Sequence, residues 1–144
     1  MPDHITSPEV AGRIQDLYGA PLADLEAHAQ EQPPGMLAAL LGMHRDLAVA
    51  EQSITVQRDL LGQFVHPDRQ IGGHEVTHVL DCARRLAEAV AVRDFQAKTA
   101  FAVLQSLGRV ASAEGRAASS EPVAASVPAL PATPASAAST APSR

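Results

Sequence analysis

The residues with the plainest chemical potential lie in one short run, His74-Glu75-Val76-Thr77-His78. Imidazoles four positions apart fall on one face of an α-helix, a turn above one another. Two such nitrogens can grip a single Zn²⁺. A carboxylate beside the first can act as general base on a metal-bound water. His66 and Asp68 lie just upstream and are the other nearby residues that could complete a site.

This spacing resembles that of the zinc metalloproteases. Carried over, the resemblance implies zinc as cofactor, His74 and His78 as ligands, and Glu75 as catalytic base of a metal-dependent hydrolase, with His66 a candidate further ligand. It covers five residues. In that family the motif lies in a helix packed under a sheet, and a third ligand follows downstream. Here Glu88 stands ten residues beyond His78, about 15 Å along one helix, too far to share a metal. Asp81 stands where the longer form of the motif has glycine, and Arg84 where it has a third histidine. Glu75-x-x-His78 also matches half of a di-iron bundle motif, but the second pair and two further glutamates are missing. The reading we place first has no catalytic residue, metal or cofactor: two partly exposed histidines, and a glutamate that suits the positive end of a helix dipole.

Around this run the chain must turn. Pro67 lacks an N–H and disfavours helix at His66. Gly72-Gly73 is a second breaker, and a helix is expected to restart at about Gly73. Upstream, Leu40, Leu47, Ile54 and Leu61 recur every seven residues from Met36 to about Phe64. Met36, Met43, Ala50 and Phe64 flank that line on one side. Leu37, His44, Glu51, Arg58 and Val65 flank it on the other. The pattern predicts a helix about 45 Å long. Downstream, Val76, Val79, Ala83, Leu86, Val90, Ala97, Phe101 and Leu104 predict a second long helix from His74 to about Ala113.

Nearer the N-terminus, Ser7-Pro8-Glu9 reads as a helix start with Ser7 as cap, ended by Gly19 and Pro21. A further short helix is expected over Leu22 to Gln30, stopped by Gln32-Pro33-Pro34-Gly35. The expected fold is therefore all-α: an antiparallel hairpin of two long helices covered by one or two short N-terminal helices, a three- or four-helix bundle. With residue 65 level with 74, Arg58 would face Asp81, and Glu51 would face Arg84 or Arg85, as edge ion pairs. The domain is expected over 1–113. A disordered Ala/Pro/Ser-rich tail is expected over 114–144, with Pro122, Pro128, Pro131, Pro134 and Pro142 forbidding continuous helix.

Composition narrows the function classes. The chain has 144 residues, 46% apolar but 3% aromatic, and a formal net charge of −5. That balance argues against a nucleic-acid partner. No apolar run is long enough for a membrane span, and no signal peptide is apparent, so a cytoplasmic location is expected. Cys82 is the lone cysteine and reads as a small, partly buried helix residue. The look of the chain is similar to that of small Ala- and Arg-rich helical proteins of GC-rich bacteria. Secreted helical-hairpin effectors share the length and the central turn, but their Trp-x-Gly turn is missing here. The leading expectation is a non-enzymatic interaction or assembly module working through a long helix face, with a protein partner or a second copy. His44, Glu51 and Arg58 are its candidate partner-selecting line.

Overall fold

The computed structural model describes residues 5–120, and every regular element among them is helical. Helix α1 spans Ser7–Tyr18, α2 Leu22–Glu31, α3 Met36–Phe64 and α4 Gly73–Ser119. No helix among the described residues is long and apolar enough to cross a membrane.

The α1 start differs from the sequence expectation by one residue. Thr6, not Ser7, is the cap: its backbone N–H and its hydroxyl both donate to Glu9 Oε2, at 2.7 and 2.9 Å. These bonds hold the Glu9 carboxyl below the usual carboxylate range. Ser7 is thereby free for a longer-range contact. Its backbone N–H donates to Glu51 Oε1 at 3.0 Å, and its hydroxyl donates to Glu51 Oε2. Gly19 closes α1 in the left-handed conformation at φ 69°, where a side chain would be strained, and its N–H donates to the Gln15 carbonyl.

Helices α3 and α4 form the main interface. From α3 come the buried Leu40, Leu41, Leu47, Ala50 and Ile54, all but Leu41 on or beside the seven-residue line. From α4 come Ala89, Ala97, Ala100 and Leu104. Leucine thus meets alanine, large against small, which lets two helices approach closely and interdigitate. Val10 and Ile14 of α1 and Leu25 of α2 close this core at the end away from the turn. The short helices were expected to cover Phe101, Leu104 and Leu107, and they do so for the two leucines while Phe101 stays exposed. Leu104 is buried in the core and Leu107 packs against it.

The hairpin register is offset from expectation by about three residues. Gln96 Nε2 donates to Asp46 Oδ2 at 3.2 Å, where position 93 was expected to face 46. The edge pairs move with it. Asp81 pairs within its own helix, with Arg84 at 2.8 Å and Arg85 at 3.0 Å, while Glu51 accepts from Ser7. Three- and four-residue spacings on one helix bring such groups together at little entropic cost, and this local geometry wins over the cross-helix alternative.

Helix α4 also runs past Ala113, to Ser119. Ala111, Ala113, Ala117 and Ala118 favour helix, and the first proline after them is Pro122. Residues 114–119, expected to be disordered, are thus an exposed helical extension. The remaining tail expectation, 121–144, lies outside the described residues.

Two outcomes follow. Leu47→Ala removes a fully buried side chain at the centre of the seam and is expected to cost about 2–5 kcal/mol in chemical denaturation. Glu51→Ala cuts the tie to Ser7. It is expected to cost about 1 kcal/mol or more and to speed amide exchange in α1 while α3 stays protected.

Candidate functional site

The motif residues lie on the first two turns of α4, at the turn end of the hairpin. The chain leaves α3 with the Val65 N–H donating to the Leu61 carbonyl, and the Arg69 N–H donates to the His66 carbonyl across Pro67. Helix α4 then begins at Gly73 with Gly72 as cap. Glu75 is the third residue of the helix. Its Oε2 accepts the Gly72 N–H at 3.0 Å. The same reach-back of a third-residue glutamate to the cap N–H is made at the start of α1, by Glu9 to Thr6.

This engagement sets the character of Glu75. Hydrogen bonds from its own backbone N–H and from that of Gly72 hold its carboxyl below the ordinary glutamate value. A general base working near neutral pH needs the opposite displacement. Glu75 is built as a helix cap.

The two histidines do come together. His74 Nε2 and His78 Nε2 are 3.0 Å apart, with the rings edge to face. The His78 ring stacks nearly parallel on Phe64 at the end of α3, with centroids 5.7 Å apart. The Arg69 guanidinium lies over the same Phe64 ring at 5.3 Å. Both imidazoles are solvent-exposed. His66 is turned to other work: its Nδ1 accepts the Asp68 N–H at 3.4 Å and lies 3.6 Å from the Asp68 carboxylate. Among the described residues no group of three or more His, Cys, Asp or Glu side chains is placed to hold a metal ion. The protease resemblance implies a third protein ligand and an unengaged base. What converges is a pair of nitrogens.

The candidate interaction line divides in two. His44 is half-buried, Glu51 anchors α1 through Ser7, and Arg58 is exposed on the half of α3 nearer the turn. Cys82 is buried. One residue escaped the sequence reading. Gln57 occupies the one gap in the line Met36, Met43, Ala50 and Phe64. It is buried there, with its Oε1 lacking a hydrogen-bond partner among the described residues. The seven-residue spacing was the signal that could have found it.

A surface groove of about 560 Å³ runs between α1 and α4 and is lined by Ile5, Glu9, Arg13, Asp94, Ala97, Lys98 and Phe101. Three of its four charged residues are engaged: Glu9 caps α1, Arg13 lies 4.9 Å over the Phe101 ring, and Asp94 pairs with Arg93. No nucleophile stands beside a base there. Comparison with protein-family models, curated proteins and solved structures gives no match to this chain.

The cap assignment carries a pH signature. Because the Glu75 carboxyl is displaced downward, its support of the helix start is full above the ordinary value of 4.5 and is lost as pH falls through the displaced value. In the Glu75→Ala variant, exchange of the Gly72 amide is expected to be faster at neutral pH and to lose that acid dependence. Unchanged exchange would refute the capping role.

Proposed function

We propose that the chain is a non-enzymatic interaction module that pairs with a second copy of itself through the turn half of the α3–α4 hairpin. The observation behind this reading is one stripe on α4. Ala97, Phe101 and Leu104 lie along the face that meets α1. Continued toward the turn in the same alternation of three and four, that stripe is interrupted at Asp94 and then reads Val90, Ala87, Ala83, Leu80 and Val76, apolar throughout. Helix α1 begins at Ser7, level with Glu51, and does not extend over it. Leu80 is 65% exposed and Val76 45%, and Ala83 and Ala87 are exposed as well.

A seam that carries a helix along one half and continues bare along the other is an incomplete bundle. An exposed apolar stripe of this kind is a mark of association. The stripe suits a second copy because an antiparallel two-fold about Ala83 sets Leu80 of each chain against Ala87 of the other, large against small, and Val76 against Val90. A two-fold axis lays such a patch on itself, and small central residues allow close approach. Two hairpins joined there form an antiparallel four-helix bundle. Arg58, on the neighbouring flank of α3, lies at its rim, where a charge steers partner choice more than it adds affinity.

Light scattering checks this. The chain mass is 15.0 kDa, and the expected species is twice that. Leu80→Glu, at an exposed position, is expected to weaken association by at least about tenfold with helicity unchanged. A wild-type chain that stays at single-chain mass when concentrated would overturn the proposal.

A further inference from the structure

The His74–His78 pair is not used by the association just described, and its geometry supports a separate proposal. We propose that His74 Nε2 and His78 Nε2 form a two-point chelate for a borderline first-row metal ion such as Zn²⁺, Ni²⁺ or Cu²⁺, held at the surface with water completing the coordination.

The distance between the nitrogens carries the argument. They lie 3.0 Å apart. Two metal–nitrogen bonds of about 2.0–2.1 Å span about 2.9 Å when they meet at a right angle and about 3.3 Å at the tetrahedral angle. The observed separation falls between these, so both nitrogens can reach one metal ion with a shift of a few tenths of an ångström. Each ring then carries its proton on Nδ1 and turns the Nε2 lone pair inward.

The site is also pre-ordered. Both donors rise from consecutive turns of one helix, so backbone order fixes their spacing. The face of His78 is held against Phe64, which restricts its ring to the chelating side. Imidazole donors select borderline ions and leave Mg²⁺ and Ca²⁺, which require oxygen ligands, unbound. Two nearby carboxylates, on Glu75 and Asp81, offset the positive end of the helix dipole without being ligands. One is tied to Gly72 and the other to Arg84 and Arg85. This chelate has neither a third protein ligand nor an unengaged base. Its consequence is structural: the metal cross-links the first and second turns of α4 and fastens the helix start beside the hairpin turn.

The test is calorimetric titration of untagged full-length protein with Zn²⁺ and Ni²⁺, alongside thermal unfolding with and without metal. The expected result is one ion per chain, a higher melting temperature with metal, and no response to Mg²⁺. His74→Ala and His78→Ala should each weaken binding at least as much as the roughly 10–100-fold that losing a supporting residue costs a metal site. His66→Ala should leave it unchanged. Both histidines are exposed, so neither variant threatens the fold, and circular dichroism confirms this. Wild-type protein that binds no metal at sub-millimolar concentration overturns the proposal, as does an unaltered affinity in His78→Ala. Equal loss in His66→Ala overturns the two-point geometry. Metal response in a Leu80→Glu monomer separates this proposal from the association above.

Discussion

Everything in this molecule hangs on the burial of one seam. Leu40, Leu47 and Ile54 of α3 lie against a run of alanines on α4, and neither helix has another large partner over its full length. Apolar burial is worth roughly 25 cal/mol per Å², and with few aromatic rings the chain must collect it from many small contacts along two rods. Length replaces bulk. A 29-residue and a 47-residue helix are what such a composition needs.

The short helices depend on that seam and, in turn, complete it. They pack where α3 and α4 diverge from the turn, adding Val10, Ile14 and Leu25 to the leucine core. The placement of α1 is then fixed by a polar contact, the Ser7–Glu51 pair, which satisfies an N–H that the helix start would otherwise leave unmet. The turn half receives no such cover. Its buried residues are fewer, one of them is the polar Gln57, and its outer stripe is apolar and exposed. This asymmetry underlies the proposed association, since an end that closes itself needs no partner and a bare end does.

Much of the architecture was legible in the sequence because it depends on period and on breakers. Seven-residue recurrence, Pro67, Gly72-Gly73 and Gly19 act locally, and α3 has the bounds that its pattern predicts. Register was less legible. Whether Asp81 meets Arg58 across the seam or Arg84 along its own helix is a contest between tertiary and local geometry, and sequence carries only the local side of it. The cap of α1 was misplaced although its signal was local: Thr6 stands three residues before Glu9, the spacing at which a cap and a glutamate bond, and Ser7 is instead taken by Glu51, 44 positions away. At the motif, spacing alone placed both imidazoles on one face. It could not show that Glu75 turns back to Gly72, because that reach depends on backbone direction before the helix.

The central claim is that α3 and α4 fold back on each other in a defined register about the turn at 65–72. Spin labels at positions 46 and 96, in a Cys82→Ala background, test it most directly by pulsed electron resonance. With the two positions facing across the seam, helices packed 8–10 Å apart place the labels within about 20 Å of each other. One uninterrupted rod over those 50 residues would separate them by about 75 Å. A short, narrow distance distribution is the expected result, and a long one would contradict the account.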